Sequence, residues 1–494
     1  MKAYISVANK ENIEILAKNL IDKKYEIIST GNTYKYLKEK GIEATESSSI
    51  TGFSELLDGK VKSLHPEIFA GILANKEERL DKNIKAFDLV AVDLYPFEDY
   101  MDKNVELETL IKNIDIGGVA LLRAAAKNYQ NVIVISSSED YRIDLDDIDE
   151  QKRQELALKA FLKTSKYDFL INKKLSSEFK TQNQDKAFYF NKIQDLRYGE
   201  NPHQKANLYS YNKELDWVLL NGKEMSYNNF LDSTTAIEIA AEFYDVAAVA
   251  IVKHQNPCAV ALAPNVEQAF DKALDSDPIS PFGGIVALTQ EVTLPLAKKL
   301  SAMFLEVIIA PSYSLEALEE LKKKKNVRII QMNTPYSEIL KFQNEEIKLT
   351  PFGALIQEKD NKDLDVATFK VITKKKPEQK EVEDMIFAFK VVKHVKSNGI
   401  VVAKDLRTIG ICGGQTNRVG AVEIALNRVC DSTKDSIVAS DGFFPAIDNI
   451  QIMAQNRVSA IIQPAGSIKD NEVIECADKY GIAMISTGIR HFKH

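Results

Sequence analysis

The stretch AAVAIVKHQNPCAVALA, residues 247–263, points to a fold and to a site at the same time. Its first six residues are small or branched apolar residues, which is typical of a strand buried in a sheet. Lys253 and His254 follow that run directly. Because a buried cation and a buried imidazole each need a partner, the fold must either expose them at a sheet edge or satisfy them inside. The first arrangement would be a functional site.

Three interpretations of His254 follow from the residues around it. His254 and Cys258 could bind a metal, but the HxE and PCxxC pattern of zinc deaminases is absent from this stretch. His254 could be a core histidine that is bonded to a backbone carbonyl. It could also be a general base at a strand end, where the charge of Lys253 favours the neutral, proton-accepting ring. Spacing alone leaves the last two interpretations open.

Length and charge narrow the class of protein. The chain has 494 residues, more than one hydrophobic core usually organises, so we expect at least two domains. Its 64 Lys and Arg stand against 71 Asp and Glu, a net charge of −7 that argues against binding nucleic acid or a membrane surface. The 4 cysteines form no CxxC pair, so no disulfide framework or thiolate metal site is indicated. We predict a cytoplasmic protein without a targeting or membrane-spanning segment.

The order of predicted elements indicates an α/β protein. The runs AYISVA, YEIIST, DLVAVDLYPF and NVIVISSS are short and β-rich, and helical periodicity lies between them. That alternation predicts a parallel sheet, with ligands at the carboxyl ends of its strands. A charged helical stretch then gives way to polar sequence, and we place a domain boundary between residues 186 and 187. Residues 187–494 give two further α/β stretches.

Two motifs in the first domain suggest binding of an anionic ligand. In STGNT, residues 29–33, hydroxyls and a glycine precede a helix, an arrangement that can hold a phosphate. Lys10 and the stretch GKVKSLHP add cations at the same predicted edge. In NIDIGGVALLRAAAKN, Gly117 and Gly118 open a helix and suggest close approach of the backbone to a ligand. Neither motif is a dinucleotide fingerprint or a P-loop.

Ten motifs along the whole chain carry a resemblance to a known family. They are DGKVKSLHPEIFAGILA, LRYGENPHQKA, NGKEMSYNN, VKHQNPCAVA, DPISPFGGIVAL, VKSNGIVVAKD, GGQTNRVGAVEIA, SDGFFP, IIQPAGSIKDNEVI and TGIRHFKH. In this order they resemble the bifunctional purine-biosynthesis enzymes that join phosphoribosylaminoimidazolecarboxamide formyltransferase to IMP cyclohydrolase. The resemblance implies a methylglyoxal-synthase-like parallel-sheet domain over residues 1–186. It also implies a transformylase domain over residues 187–494, built from two cytidine-deaminase-like subdomains without zinc.

The resemblance also implies roles for residues of the transformylase domain. The reaction would move a formyl group from the co-substrate 10-formyltetrahydrofolate to the amine of the nucleotide AICAR, with no metal. His254 would be the base, Lys253 the proton donor or charge stabiliser, and Asn398 the group that orients an oxygen of the substrate. Further residues would bind substrate: Arg197, Tyr198, Arg418 and Arg490 the nucleotide, and Asp441 and Phe444 the folate. A homodimer is implied, because the family builds these sites across the subunit interface.

For ring closure of formyl-AICAR to IMP the resemblance implies a second set of residues. The positions that match the residues credited with this step are Lys62, Ser63, Tyr95, Asp115 and Lys127. Gly117 and Gly118, in the turn before the helix, are expected to contact the substrate. The positions that match the phosphate cradle are Ser6, Lys10, Ser29, Thr30, Gly31 and Thr33. The family's usual Asn before LYPF is Asp93 here, which adds negative charge beside a nucleotide and cannot donate a hydrogen bond when ionised. Two rival hypotheses follow: a transformylase whose first domain only binds nucleotide, and a metal-dependent deaminase.

Overall fold

The computed structural model describes residues 1–53, 61, 63–80, 83–101, 103–179, 185–211, 214–342, 344–362, 364–429 and 433–494. The chain divides into two compact units, unit 1 (Met1–Tyr189) and unit 2 (Phe190–His494). The functional boundary between residues 186 and 187 stays a prediction. No helix among the described residues is long and apolar enough to cross a lipid bilayer.

Unit 1 is a parallel sheet with helices on its faces. Its elements are β1 (Lys2–Ser6), α1 (Ile13–Asp22), β2 (Glu26–Ser29), α2 (Gly31–Glu39), β3 (Thr45–Glu46), α3 (Ser47–Thr51), α4 (Pro66–Leu73), β4 (Leu89–Val92), α5 (Leu107–Lys112), α6 (Gly117–Lys127), β5 (Ile133–Ile135) and α7 (Glu150–Phe179). Short 3₁₀ turns lie at Glu78–Leu80, Phe97–Tyr100 and Ser138–Arg142.

The strands of unit 1 run in the order β3-β2-β1-β4-β5, and each pair is parallel. The four runs predicted as strands are β1, β2, β4 and β5. Strands β2 and β3 are added on one side of β1, and β4 and β5 are added on its other side. The direction in which the chain adds strands to the sheet therefore reverses between β1 and β4. A crevice for a ligand forms beyond the carboxyl ends of the strands at such a point. Ser6 and Asp93 lie on either side of it.

Unit 2 is built mainly on one long mixed sheet. Its elements are β6 (Asn191–Leu196), β7 (Ala206–Ser210), β8 (Trp217–Asn221), α8 (Tyr227–Ala241), β9 (Ala247–Lys253), β10 (Asn256–Ala263), α9 (Val266–Ser276), β11 (Ile285–Leu288), α10 (Leu294–Ala302), β12 (Val307–Ala310), α11 (Leu315–Lys322), β13 (Arg328–Met332), α12 (Tyr336–Ile339), β14 (Glu345–Thr350), β15 (Gly353–Glu358), β16 (Lys370–Val371), α13 (Gln379–Val392), β17 (Ile400–Lys404), β18 (Arg407–Cys412), α14 (Arg418–Asn427), β19 (Ile437–Ser440), α15 (Ile447–Gln455), β20 (Ala460–Gln463), α16 (Asp470–Tyr480) and β21 (Ala483–Ser486).

The long sheet consists of two halves with the same topology. Its order is β16-β21-β20-β19-β17-β18 and then β10-β9-β11-β12-β13-β8, so each half reads identically outward from the seam between β18 and β10. Each half begins at the seam with an antiparallel hairpin and continues through three parallel strands to an antiparallel edge strand. The α/β class and the two-subdomain architecture predicted for this region are confirmed by this repeated strand order.

The apolar run that ends at Lys253 forms β9, and both faces of this strand are buried. Alternate residues pack into two different cores: Ala248, Ala250 and Val252 into one, and the intervening residues into the other. This explains why the run is continuously apolar rather than alternating. Each fully buried Val or Ile contributes about 1.5–3 kcal/mol to folding. Lys253 is the last residue of the strand and marks the place where the sheet meets solvent.

Helices α8 and α13 occupy equivalent places in the two halves, and buried residues of both belong to one hydrophobic core. Phe243 and Phe387 contribute rings whose centroids are 5.4 Å apart. Beside them, one carboxylate oxygen of Glu242 lies 2.9 Å from Lys393 Nζ and 3.0 Å from His394 Nε2. Burial opposes ionisation of Glu242, but the His394 hydrogen bond and the charge of Lys393 outweigh it and lower its pKa to about 2. Burial lowers the pKa of His394, so the ring is neutral at pH 7.

Candidate functional site

His254 lies in a two-residue turn that joins β9 to β10. Lys253 pairs with Asn256 across the hairpin, and His254 and Gln255 between them have φ of 55° and 58°. Positive φ at both central residues is the geometry of a type I′ turn. The backbone N–H groups of His254 and Gln255 donate to the two carboxylate oxygens of Asp232, at 3.1 and 2.7 Å. The turn therefore presents the exposed imidazole at the end of a buried strand.

A cavity of about 340 Å³ opens beside this turn. Its described lining includes Lys253, His254 and residues 256–258 from the first half, and residues 408–413, Gln415 and Arg428 from the second. It lies along the seam, where β10 and β18 pair at Ala261 and Arg407. The volume is in the range of small-molecule sites. His254 is not a core histidine in this structure, because its side chain is exposed on a cavity wall.

The other groups near His254 fix the character of the cavity. The ammonium of Lys253 donates to the backbone oxygen of Phe282 at 2.7 Å, which holds it at the wall. Burial raises the pKa of the Cys258 thiol to about 12, so this side chain is a neutral wall group rather than a thiolate. Within the described part of the chain, no group of three or more His, Cys, Asp and Glu side chains is placed to hold a metal ion.

Asn398 belongs to a hydrogen-bonded network that reaches the cavity through Gln415. Its amide nitrogen donates to the backbone oxygen of Gln415 at 2.9 Å, and its amide oxygen accepts from Arg418 at 2.6 Å. Arg418 also donates to Ser440 at 2.7 Å and to Asp441 at 2.6 Å. Both the guanidinium and the Asp441 carboxylate are buried. Asn398 is thus held in one orientation by its neighbours.

Three predicted substrate contacts of unit 2 are buried. Arg418, which we expect to bind the nucleotide, donates to Asp441 and Asn398. Asp441 and Phe444, which we expect beside the folate, are both 0% exposed. Their contacts with substrate stay predictions. These three residues lie in the interior because they complete the polar network and the apolar core around α14. A direct contact with substrate would require them to move.

Three other predicted contacts lie on the surface of unit 2. The guanidinium of Arg197 is 5.5 Å from the centre of the Tyr198 ring, on the loop after β6. The guanidinium of Arg490 stacks over Phe492 at 4.3 Å near the C-terminus. None of the three is among the described residues that line the His254 cavity.

The residues predicted to form a phosphate cradle in unit 1 lie together at the reversal point of the sheet. The hydroxyls of Ser6 and Thr30 are 2.9 Å apart, and Thr30 and Gly31 open helix α2. The Ser29 hydroxyl donates to Ile5 O at 2.8 Å, and the Thr33 hydroxyl is bonded to the backbone of Val7. These two side chains therefore tie the cradle to β1. Lys10 folds back over the same loop, where its ammonium donates to Ala8 O at 3.0 Å.

Asp93 follows β4 beside this cradle, and its charge is paired. One carboxylate oxygen accepts from Lys163 Nζ at 2.6 Å, and the other accepts from the backbone N–H of Asn9 at 3.3 Å. Lys163 reaches across from α7 and also donates to Ser136 O at 2.5 Å. The negative charge that the departure from Asn introduces therefore has its own cation in this chain.

Asp115, Ser63 and the two glycines meet at the start of α6. A carboxylate oxygen of Asp115 accepts from the N–H of Gly118 at 2.7 Å. A Cβ on Gly118 would lie 2.5 Å from the other oxygen of Asp115, and a Cβ on Gly117 would lie 2.6 Å from the Ser63 hydroxyl. Only glycine allows this close approach. The glycines are therefore needed for packing of polar side chains onto the helix start.

The remaining predicted residues of unit 1 are less closely grouped. Lys62 lies outside the described residues. Tyr95 is 46% exposed, two residues after Asp93. Lys127 is exposed in the last turn of α6, about 15 Å along the helix axis from Gly117 at 1.5 Å per residue.

Three residues of these sites were not predicted from the sequence. Asp232 and Lys163 are described above. The third, Tyr167 on α7, accepts a hydrogen bond from the backbone N–H of Asp115 at 2.8 Å, and burial raises its pKa to about 12. Each belongs to a helix that reaches the site from a distance in sequence. No local motif marks them, because helices α7 and α8 carry polar residues at many positions.

Comparison with known proteins gives a consistent result along the chain. A family model described as "AICARFT/IMPCHase bienzyme" matches residues 125–428, and one described as "MGS-like domain" matches residues 12–120. A curated relative from Thermoanaerobacter sp. (strain X514) is 47% identical over 511 residues, and one from Aquifex aeolicus (strain VF5) is 45% identical over 516 residues. The alignments cover 100% of this chain and 99% and 100% of the relatives. Both relatives are named "Bifunctional purine biosynthesis protein PurH".

Proposed function

The chain belongs to the AICARFT/IMPCHase bienzyme family, and from that membership we propose how its residues divide two reactions of purine biosynthesis. It is a bifunctional enzyme that transfers a formyl group to AICAR and then closes the ring of formyl-AICAR to give IMP. We assign formyl transfer to unit 2 and ring closure to unit 1. The formyl donor is 10-formyltetrahydrofolate, and we expect neither step to need a metal.

The exposed imidazole of His254 on a cavity wall, next to Lys253, is the observation that carries the assignment of unit 2. The AICAR amine is conjugated with its ring and is a weak nucleophile. It attacks the formyl carbon, the bond from that carbon to folate N10 breaks, and the amine proton passes to His254. Lys253 supplies positive charge and a proton for the departing N10. An ammonium has three N–H donors, so the bond to Phe282 does not exhaust it.

Asn398 orients an oxygen of the substrate, and its neighbours hold it ready to do so. Its amide is fixed at both ends, by Gln415 O and by Arg418. We therefore give Arg418 and Asp441 a supporting role: the ion pair between them locks the guanidinium that orients Asn398. Preorganised donors of this kind stabilise developing charge because they need no reorientation during the reaction.

The nucleotide and folate contacts of unit 2 are best explained by a homodimer. Arg197, Tyr198 and Arg490 are separate from the described lining of the His254 cavity, which suits a site completed by a second copy. The hairpin β14–β15 carries Leu349, Phe352 and Leu355 with 85%, 101% and 62% exposure. Apolar side chains grouped on one projecting hairpin are typical of an interface. The cytoplasmic location stays a prediction.

In unit 1 the reacting groups are already in one molecule, so positioning is the main task. The phosphate lies on Ser6, Thr30 and the start of α2, where free N–H groups and the helix dipole favour an anion. The carboxamide nitrogen attacks the formyl carbon, Asp115 receives one of its protons, and the resulting alkoxide, stabilised by Lys62, is protonated to a hydroxyl. The former amine nitrogen then loses its proton and forms a C=N bond to the same carbon, while the C–O bond breaks and the hydroxyl takes up a proton and leaves as water. Pairing of Asp93 with Lys163 supports an active cyclohydrolase over a domain that only binds nucleotide.

The test of this division uses the full-length chain with AICAR and 10-formyltetrahydrofolate, and separately with formyl-AICAR. The wild type should produce IMP from both. His254→Ala should lose formyl transfer and keep ring closure, and Lys62→Ala should do the reverse. Loss of both steps in either folded variant would refute the division of labour.

A further inference from the structure

The turn that carries His254 has an unusual backbone that one side chain holds in place. His254 and Gln255 both have positive φ, which residues other than glycine rarely adopt. Asp232 on α8 accepts from both of their N–H groups, one with each carboxylate oxygen. Asn256 adds a bond from its amide to His254 O at 2.8 Å. The direction in which the imidazole leaves the backbone is thus set by the carboxylate of a separate helix.

We propose that Asp232 is a positioning residue for formyl transfer, which holds the His254 turn in its left-handed conformation. This inference rests on the role of His254 proposed above. A general base must lie within hydrogen-bond reach of the proton that it removes, and a displacement of about 1 Å can lower a rate about 10²-fold. Without the carboxylate, the two N–H groups lose their acceptor and the turn can relax toward negative φ. The imidazole would then leave its place on the cavity wall.

The second half of the sheet contains a matched control. Its hairpin turns at Asp405 and Leu406, with φ of 55° and 56°, and their N–H groups donate to the carboxylate of Asp384 at 2.9 and 2.6 Å. Asp384 lies on α13, the counterpart of α8. Leu406 O accepts from the N–H of Leu262, so this turn lies beside the far end of β10, about 20 Å from the first. It has the same construction without an imidazole.

Four variants of the full-length chain test the proposal: Asp232→Ala, Asp384→Ala, Asp232→Asn and the double variant Asp232→Ala/Gln255→Gly. For formyl transfer we expect Asp232→Ala to lower kcat about 10²-fold while KM for AICAR stays within about threefold. Asp384→Ala should stay within about threefold of wild-type kcat. Asp232→Asn keeps one acceptor oxygen, so its kcat should lie between that of Asp232→Ala and that of the wild type. Glycine adopts positive φ without strain, so the turn needs less support when Gln255 is replaced. The double variant Asp232→Ala/Gln255→Gly should therefore have a kcat about tenfold higher than that of Asp232→Ala.

Ring closure of supplied formyl-AICAR and thermal unfolding are measured in the same samples, so that misfolding is recognised. If Asp232→Ala unfolds, the comparison moves to Asp232→Asn and Asp384→Asn. Equal losses of kcat in the Asp232 and Asp384 variants, or wild-type kcat in Asp232→Ala, would overturn the positioning role. Retained transfer in His254→Ala would instead overturn the proposed function of His254, so the two failures are distinguishable.

Discussion

The pairing of Asp93 with Lys163 leads to a prediction that can be followed through a double-mutant cycle. The N–O distance is 2.6 Å, and the side chains are 30% (Lys163) and 23% (Asp93) exposed. A hydrogen bond to a charged group is worth about 1.5–3 kcal/mol when buried, and an exposed ion pair about 0–1 kcal/mol. For this partly exposed pair we take an interaction free energy of about 1.4 kcal/mol, which corresponds to about a factor of ten in an equilibrium constant.

Lys163→Met leaves the Asp93 carboxylate without its cation, against the loop that follows Ser6 of the phosphate cradle, where it accepts from the N–H of Asn9. Repulsion of the phosphate should raise KM for formyl-AICAR in ring closure about tenfold. Asp93→Asn in the same chain removes the charge that needed the lysine. KM in the Asp93→Asn/Lys163→Met double variant should therefore return to within about threefold of the wild type.

The assay is initial-rate ring closure with supplied formyl-AICAR, at low and at physiological salt. Because salt screens charges, the difference in KM between Lys163→Met and the double variant should become smaller as the salt concentration rises. Formyl transfer by unit 2 is the internal control and should be unchanged in all variants. A double variant with KM as high as Lys163→Met would refute charge compensation, because the effect would then come from lost packing or from the bond to Ser136.

Three further outcomes are expected. Gly118→Ala should lower kcat of ring closure about tenfold, because the added Cβ would lie 2.5 Å from an oxygen of Asp115. Initial rates with supplied formyl-AICAR measure this effect, and a wild-type kcat would contradict it. The folded-state pKa of Glu242 is about 2, below the ordinary 4.5, so its stabilisation is present above pH 4.5 and is lost as pH falls toward 2. Thermal unfolding against pH should show this slope in the wild type and less of it in Glu242→Gln. Phe352→Asp should shift the proposed homodimer toward monomer in sedimentation experiments, and unchanged mass would exclude the β14–β15 hairpin from the proposed interface.

The sequence alone predicts the parts of this protein that depend on local patterns. The apolar run before Lys253 is a strand buried on both faces, and the hydroxyl-rich STGNT lies at a strand end and a helix start. These features follow from periodicity and from turn chemistry, which act over a few residues. The sequence leaves the position of His254 open between the core and the edge of the sheet, and the structure places it at the edge, where it is exposed.

The supporting residues could not be predicted, because they depend on how distant helices pack. Asp232 lies 22 residues before His254, and Lys163 lies 70 residues after Asp93. Arg418 is a further example. The resemblance implies that it binds the nucleotide, and no local motif indicates that its guanidinium also donates to Asp441, a buried aspartate at the end of the next strand. Which charged group a side chain meets is decided by tertiary packing, and a single sequence carries little information about it.

The repeated topology of unit 2 also has little trace in the sequence, for a physical reason. A buried strand requires only apolar residues, and the two hairpins share a lysine before the turn and an acidic residue on the preceding helix. Those requirements are met by many different sequences. Apart from the family resemblance, which implies two subdomains, the repeat is seen in the strand order and in the paired turns at His254 and Asp405.

The seam of the long sheet limits where this chain can be cut into fragments that stay soluble. At the seam, Val260 N–H donates to the Thr408 hydroxyl and Leu262 N–H donates to Leu406 O. A fragment that ended between the halves would expose β10 or β18 as an open edge, with apolar residues beside unpaired backbone groups. Such edges recruit other strands. Expression of either half by itself should accordingly give aggregates, whereas permuted chains that keep both halves should stay dispersed.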